Sequence, residues 1–350
     1  MYTPLLWIAG CGGSSKPLPV DPPATPTAVP TSSTTPSAPA DTARPADTGA
    51  DVCHLAWVRE PTDTRHTLLD VWSDPELGTW AVGEVGTLLQ RDAADGSWHT
   101  LPVPTRGHLL QITGAPAVGV WFGGVGYCTG GSGGCDLEPC GLFRLDATGA
   151  VEAVAPEVFT WIQGLWTDGQ QVAWVSDNTT VHRSDDLGAT WSTELPPLGW
   201  SSTIALDGLS ADDLYLLQLY GLWHTEGGAW VEQPLPRDDQ FYAMWIHPDR
   251  MFLATYNRYV FQRDADGEWT GGRLDLPATP LGLWGSSADD VYLVAGGDFS
   301  PSGAVYHTTG DGTWTPVLED TPPLYAIDGT SAEDLYAVGA EGAVYHARCE

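Results

Sequence analysis

A repeat of about 40 residues is the feature that most constrains this chain. From residue 51 to residue 350, an aromatic side chain recurs at one position of an apolar segment. The seven positions are Trp80, Trp121, Trp174, Tyr215, Phe252, Tyr292 and Tyr336. Each copy has an apolar segment before this one and a third apolar segment after it. A further aromatic opens a fourth segment at Trp98, Trp191, Trp230, Trp269 and Trp314, and Val151 takes that place in the second copy.

Four short apolar segments per repeat predict four strands per structural unit. A period of this length with four strands is typical of a β-propeller, so we predict an all-β, seven-bladed propeller of four-stranded blades. The copy at 283–314 shows the order of strands most clearly. We expect the recurring aromatic rings to pack one blade on the next rather than to bind a ligand.

The two ends of the repeat region complement each other. The last copy stops after its third strand, and the first copy is preceded by a single strand that carries Trp57 one repeat before Trp98. We therefore predict that the N-terminal strand completes the last blade and closes the ring, which removes exposed sheet edges. Cys53 opens that strand and Cys349 ends the last one, so we predict a disulfide between them, contributing at most ~5 kcal/mol.

The first 50 residues differ from the repeats in composition. Ile8-Ala9-Gly10-Cys11 resembles a bacterial lipobox, which implies that 1–11 is a lipoprotein signal segment and that Cys11 is acylated. The alternative is a cysteine that follows an apolar run by chance. Residues 12–50 are rich in Pro, Thr, Ser and Ala and cannot bury enough surface to fold, so we expect a disordered stalk. The propeller then spans 51–350, held at the bacterial cell envelope, on the outer membrane or the cell surface.

The charge of the chain excludes some partners. The formal net charge is −31, with 45 acidic and 14 basic residues, and such a surface repels phosphate backbones. We expect no nucleic-acid partner and no membrane contact other than the lipid anchor. A soluble acidic surface explains this charge, and weak cation binding by clustered carboxylates is the alternative.

One hairpin carries a motif with a family name. The residues Ser184, Asp186, Gly188, Thr190 and Trp191 fit the pattern S-x-D-x-G-x-T-W at every fixed position. This segment resembles the Asp-box of the BNR-repeat propellers, which include sialidases, some glycan hydrolases and the photosystem II assembly-factor family. In such a box the aspartate accepts turn N–H groups, the glycine takes a positive φ and the tryptophan is buried beneath. The resemblance implies a structural role, on the face opposite the ligand site.

A wider resemblance covers the whole repeat region. The segments 285–292 and 329–336 fit the pattern G-x-S-x-x-D-[LV]-Y, which is similar to repeats of bacterial surface lipoproteins. The histidines His224, His307 and His346 recur at one position of the third strand. We interpret them as a mark of repeat descent and expect them on a blade surface.

The longest insertion, 123–141, holds Cys128, Cys135 and Cys140. In an exported protein these cysteines predict a disulfide staple, with Cys128 or Cys135 paired to Cys140 and one thiol left over. Their spacing does not fit the close ligand pairs of a zinc site, so we expect no metal. The sequence also lacks nucleotide-binding and hydrolase fingerprints, and we expect no cofactor.

Ligands of propellers usually bind the face formed by two classes of loop, those from the fourth strand to the next first strand and those from the second strand to the third. The candidate residues on this face are Arg106, His108, Glu157, Arg237, Asp238, Asp239, Tyr256, Asn257, Arg258 and Asp298. Residues 237–239 form the densest charge group, and the alternative is that they are only a solvated loop.

These features favour a non-catalytic, monomeric binding module for a protein or glycan partner. The alternative is a glycan-active hydrolase or lyase of the BNR-repeat type. An enzyme of that kind requires two carboxylates that face one cleft.

Overall fold

The structure is a computed structural model. The chain consists of two units, Met1–Val52 and Cys53–Glu350. The residues that it describes are 55–125, 141–146, 148–154, 162–170, 173–176 (backbone only), 180–194, 202–264, 266–297 and 300–349. All of them belong to the second unit. Within these residues, no helix has the length and apolar character needed to cross a membrane.

The described strands follow one another along the chain with few other elements. The first fourteen are β1 (Leu55–Glu60), β2 (Leu68–Asp74), β3 (Gly78–Gly83), β4 (Thr87–Arg91), β5 (Trp98–Thr100), β6 (His108–Ala115), β7 (Gly119–Val125), β8 (Leu142–Leu145), β9 (Val151–Val154), β10 (Gly164–Thr167), β11 (Ala173–Ser176), β12 (Val181–Ser184), β13 (Ser192–Glu194) and β14 (Thr203–Ser210). The second fourteen are β15 (Asp213–Gln218), β16 (Gly221–Glu226), β17 (Ala229–Gln233), β18 (Phe241–His247), β19 (Arg250–Thr255), β20 (Tyr259–Asp264), β21 (Trp269–Arg273), β22 (Thr279–Ser287), β23 (Asp290–Gly296), β24 (Gly303–Thr308), β25 (Thr315–Thr321), β26 (Leu324–Ser331), β27 (Asp334–Gly339) and β28 (Val344–Cys349). Short 3-10 turns occupy Glu84–Gly86 and Ala340–Gly342.

Among the described residues, the strands form seven four-stranded antiparallel sheets. Six sheets take consecutive strands, β2–β5 (blade 1), β6–β9 (blade 2), β10–β13 (blade 3), β14–β17 (blade 4), β18–β21 (blade 5) and β22–β25 (blade 6). Blade 7 has the order β1-β28-β27-β26. The first strand of each blade lies beside the first strand of the next, and β26 lies beside β2. The prediction of an all-β propeller is confirmed.

Aromatic rings join neighbouring blades, as the repeat predicts. Trp98 at the start of the fourth strand of blade 1 meets Tyr336 of blade 7 edge to face, with ring centroids 6.3 Å apart. Trp314 of blade 6 meets Phe252 of blade 5 in the same way at 6.1 Å. Each ring therefore packs on the second-strand aromatic of the preceding blade. Such edge-to-face pairs contribute about 1 kcal/mol beyond the area they bury.

The N-terminal strand closes the ring. Strand β1 pairs antiparallel with β28, with Leu55 opposite Cys349 and Glu60 opposite Val344. Trp57 packs against the apolar cluster that contains Tyr292, where a fourth-strand aromatic belongs. The predicted closure is confirmed. Cys349 is disulfide-bonded, while Cys53 lies outside the described residues, so its pairing with Cys349 stays a prediction.

A cluster of charged side chains joins this closing strand to blade 1, and we call this cluster the seam. Glu60 of β1 accepts hydrogen bonds from Arg91 Nη2 and Nε of blade 1 at 2.7 and 2.9 Å and from Trp98 Nε1 at 2.7 Å. His346 lies between two carboxylates, with Nδ1 3.0 Å from Glu60 Oε1 and Nε2 2.8 Å from Asp334 Oδ1. The seam therefore joins blade 7 to blade 1 through a buried ionic network.

The network shifts the pKa of both central groups. Burial alone would raise the pKa of Glu60, but hydrogen bonds from His346, Arg91 and Trp98 outweigh it and lower that pKa to about 2. Burial alone would lower the pKa of His346, but its two carboxylate neighbours raise it above the usual value. Glu60 therefore stays ionised, and protonation of His346 is favoured.

The expectation that the three recurring histidines lie on a blade surface is wrong. Their side chains are only 19%, 23% and 7% exposed. Each bonds an aspartate of the second strand and lies over a tyrosine ring, in the sets Asp213–His224–Tyr215, Asp290–His307–Tyr292 and Asp334–His346–Tyr336. The aspartate of the D-x-Y pattern is thus the histidine's partner. This pairing gives the repeated motif its structural purpose.

Replacement of Glu60 tests the seam. The change Glu60→Gln leaves Arg91 and His346 facing an uncharged amide in a buried site, so we expect the free energy of unfolding to fall by about 3 kcal/mol. The matched control is Asp290→Asn, which weakens an aspartate–histidine pair away from the seam and should cost about 1 kcal/mol. Urea unfolding followed by circular dichroism measures both. Equal losses in the two variants would contradict a special role for the seam.

The seam should also have its own pH dependence. The raised pKa of His346 means that its contribution is complete below the ordinary value of 6.5 and is lost as pH rises through the folded-state value. The lowered pKa of Glu60 means that its contribution is complete above 4.5 and is lost as pH falls towards about 2. We expect the stability difference between the natural protein and His346→Gln to be largest between these two ordinary values and to shrink above them. A difference that grows as pH rises above 6.5 would refute this assignment.

Candidate binding face

The loops from fourth to first strands and those from second to third strands leave the blades at the same end. We call this end the ligand face and the other end the opposite face. Of the candidate residues, Arg237, Asp238 and Asp239 lie between β17 and β18, and 256–258 lies between β19 and β20. The structure brings these two loops together at blades 4 and 5. Arg106 and His108 lie at the junction of blades 1 and 2 instead.

Three tyrosines gather beside these loops, and we call them the tyrosine cluster. Tyr220 and Tyr256 are 51% and 46% exposed, and each follows the second strand of its blade. The ring of Tyr242 lies 5.8 Å from that of Tyr256, and Gln240 Nε2 donates to the Tyr220 hydroxyl at 2.5 Å. Burial raises the pKa of Tyr242, and the nearby hydroxyls of Tyr256 and Tyr220 raise it further. The cluster is therefore a continuous aromatic surface with its hydroxyls close together.

Asp239 holds the two loops in place. Its side chain is only 3% exposed, and its Oδ1 accepts hydrogen bonds from Asn257 Nδ2 at 2.7 Å and from the Gln240 amide at 2.8 Å. Arg237 Nε lies 3.2 Å from Oδ2, an ion pair without hydrogen-bond geometry, while its guanidinium covers the Tyr259 ring at 3.8 Å. Asp239 is buried and its Oδ1 already accepts two hydrogen bonds, so this carboxylate positions the two loops, and a contact between Asp239 and a ligand stays a prediction. Asp238 remains exposed.

Arg258 differs from the other arginine of this site. Its backbone has a φ of 67°, a left-handed conformation that costs a non-glycine residue about 1 kcal/mol. Its amide donates to Thr255 O at 3.0 Å, and its carbonyl accepts from the Leu274 amide at 2.8 Å. Within the described part of the chain, its guanidinium has no ion pair or hydrogen bond. The fold therefore maintains a strained backbone that presents an uncompensated positive charge beside the tyrosine cluster.

Several site residues fall elsewhere or outside the described chain. Burial lowers the pKa of His108, whose Nδ1 is buried without a hydrogen-bond partner, and this fits a neutral ring in a packed loop. The residues Cys11, Cys53, Cys128, Cys135, Cys140, Glu157 and Asp298 lie outside the described residues. The sequence reasoning missed Tyr220 and Tyr242. The signal for Tyr220 was its place between the second and third strands of its copy, as for Tyr256.

The Asp-box segment forms a turn on the opposite face, between β12 and β13. Asp186 Oδ1 accepts the Thr190 amide at 2.8 Å, and Ser184 Oγ accepts the Gly188 amide at 2.8 Å. Gly188 has a φ of 81°, and Trp191 Nε1 donates to its carbonyl at 3.1 Å. These are the local contacts that the motif predicts, although Trp191 is half-buried rather than buried.

Within the described residues, no group of three His, Cys, Asp or Glu side chains is placed to hold a metal ion.

Comparisons with known proteins show the fold and nothing finer. No family model and no curated protein matches the chain. YCF48 bound to D1 peptide is similar with 18% identity and a TM-score of 0.65, over 84% of this chain and 97% of that one. Virginiamycin B lyase from Staphylococcus aureus is similar with 13% identity and a TM-score of 0.68, over 85% and 100%. The WD40 repeats of RRP9 match with 12% identity and a TM-score of 0.64, over 84% and 97%. At such identities, the likeness supports a β-propeller and transfers no activity.

Three aspartates on first strands link blades around the ring axis. Asp70 accepts the Ile112 amide at 2.8 Å, and Asp328 accepts the Ser73 amide at 2.6 Å. Asp207 does the same for the first strand of blade 5. Burial raises the pKa of Asp70 to about 7, that of Asp207 to about 6, and that of Asp328 well above its usual range.

These three aspartates are half-buried. Each carboxylate accepts a backbone amide from the first strand of the next blade, and its burial there raises its pKa. Asp70 also raises the pKa of Asp328 by repulsion. Their backbone contacts make them structural links between blades rather than ligand contacts.

Replacement of Asp328 should flatten the pH dependence of stability. Because the folded state keeps a proton that the unfolded state loses above the usual 3.8, stability falls as pH rises towards the folded-state pKa. The change Asp328→Asn keeps an acceptor for the Ser73 amide and removes this loss. We expect the variant to gain on the natural protein as pH rises above about 4 in urea unfolding. The exposed Asp238→Asn is the control, and parallel behaviour of the two variants would refute the assignment.

Proposed function

We propose that this chain is a lipid-anchored, seven-bladed β-propeller of the bacterial cell envelope that binds a protein or glycan partner without catalysis. The observation that carries the proposal is the tyrosine cluster beside Arg258. Tyrosine and arginine are enriched among the residues that dominate binding energy at interfaces. Tyrosine offers a large amphipathic surface at a small cost in conformational entropy. The site therefore has the chemistry of a contact surface.

The arrangement of the site supports binding more than chemistry. Buried Asp239 forms an ion pair with the partly exposed Arg237, and this pair holds the loops in place. The exposed tyrosines then form the part of the site that a partner can reach. Among the similar structures, YCF48 holds a peptide, which makes a protein segment the first class of partner to test.

The proposed location depends on the N-terminal sequence. Acylation of Cys11 would attach the chain to a membrane, and the Pro-rich stalk at 12–50 would hold the propeller away from it. The strongly acidic surface supports this arrangement, because it disfavours direct contact with anionic lipid headgroups.

A binding screen with the full chain tests the proposal. We would probe a glycan array and a displayed library of random peptides, then measure the selected ligand against Tyr220→Ala and Tyr256→Ala. We expect each change to weaken binding about tenfold, because each removes an exposed ring of the contact surface. Leu209→Ala is the control, since Leu209 is similarly exposed, at 44%, on the opposite face.

Two results would overturn this function. Ligands that bind both tyrosine variants as tightly as the natural protein would place the contact elsewhere. Turnover of any glycoside by the full chain would replace the non-catalytic reading with the glycan-active one. Unfolding curves of each variant would show whether a lost affinity reflects a lost fold.

A further inference from the structure

A cavity of about 380 Å³ lies at the seam, on the ligand face. We call it the seam cavity. Its walls come from the end of β1 and the loop that follows it, and from the 3-10 turn of blade 7. The side chains that matter for its chemistry are Arg59, Glu60, Thr62, Thr64, Arg65 and Glu341. None of these residues belongs to the tyrosine cluster.

The walls of the seam cavity are fixed by close backbone packing. Thr62 Oγ1 donates to Gly342 O at 2.8 Å. Gly342 has a φ of 65°, and a Cβ there would meet Thr64 O at 2.2 Å, so only glycine allows the two segments to come this close. Thr64 Oγ1 accepts the His66 amide at 3.0 Å, which leaves its hydroxyl hydrogen able to donate into the cavity.

The charges of the seam cavity are unbalanced in favour of cations. Glu60 borders it, but Arg91, Trp98 and His346 already occupy its carboxylate. Arg59 and Arg65 are exposed, and within the described residues neither has an ion pair or hydrogen bond. By contrast, Arg183 and Arg250 on the opposite face pair with aspartates. In a chain with a net charge of −31, two guanidinium groups without ion pairs stand against one free carboxylate, Glu341, and this local excess of positive charge indicates a site for an anion.

The next blade junction provides an internal comparison. There, a Cβ on Gly86 would meet Thr105 O at 2.1 Å, and Thr105 Oγ1 accepts the Gly107 amide at 2.9 Å. The two loops therefore have the same construction, and Arg106 follows Thr105 as Arg65 follows Thr64. The fourth strand of blade 1, however, reads Trp-His-Thr and offers no arginine in the place of Arg59. The second arginine distinguishes the seam cavity from its repeat copy.

We propose that the seam cavity binds a small anion with several oxygen atoms, such as phosphate or a dicarboxylate, through Arg59 and Arg65. Planar guanidinium groups donate two parallel hydrogen bonds to such oxygens, and the Thr64 hydroxyl adds a neutral donor. Glu341 borders the same space and repels an anion, which limits affinity. The walls come from the first and the last strands of the propeller chain. A bound anion therefore stabilises the closed ring.

Thermal unfolding of the full chain tests the site with inorganic phosphate and with succinate as probes. Any salt screens the self-repulsion of this acidic chain, so sodium chloride must hold the ionic strength constant. We expect a saturable rise in the unfolding midpoint of about 3 °C at ten times the dissociation constant. A rise with phosphate alone identifies a phosphate site, and a rise with succinate as well identifies a general site for polyatomic anions.

Variants decide which residues bind the anion. Arg59→Gln and Arg65→Gln should each weaken binding about tenfold, whereas the matched Arg106→Gln should leave it unchanged. Glu341→Gln should strengthen binding, an effect that a merely structural role of this loop does not produce. The proposal fails if neither anion raises the midpoint above the chloride control, or if Arg65→Gln and Arg106→Gln behave alike. Both outcomes are independent of ligand binding at the tyrosine cluster.

Discussion

The ring depends on one repeated contact, the packing of a fourth-strand aromatic against the second-strand aromatic of the preceding blade. Trp98 on Tyr336 and Trp314 on Phe252 show it directly. Each contact is local to one junction, so the ring is stable only when every junction is filled. Trp57, supplied by the N-terminal strand, fills the place at the last junction. The ionic network around Glu60 then adds a polar attachment to the same strand, at the point where the two chain ends meet.

The sequence predicts the parts of this structure that the repeat specifies. The spacing of the aromatics predicts the propeller, and the incomplete last copy with its preceding strand predicts the closure through β1 and β28. Both follow from the repeat, because four short apolar segments in a period of about forty residues leave few other folds. The turn around Asp186 was predictable for a different reason, since its contacts lie within eight consecutive residues.

The candidate site was less predictable because its contacts join different blades. In the sequence, Asp239 is a charged loop residue of the kind that contacts ligands. Only the fold shows that Asn257 donates a hydrogen bond to its carboxylate and that Arg237 forms an ion pair with it. Tyr220 and Tyr242 are ordinary residues in their own copies and become a surface only when blades 4 and 5 pack together. The recurring histidines were expected on a blade surface, but each is bonded to an aspartate of the neighbouring strand, as His307 is to Asp290.

Some arginines of the propeller have aspartate partners and others do not. On the opposite face, Arg183 and Arg250 bond aspartates of the next blade, so their charge is used to hold junctions together. On the ligand face, Arg59, Arg65 and Arg258 have no such partners within the described residues. Holding blades together does not require these three charges, because the aromatic contacts and the closing strand already do so. An arginine without a partner in a strongly acidic chain can bind an anion from outside, and on the ligand face two such arginines, Arg59 and Arg65, border one cavity.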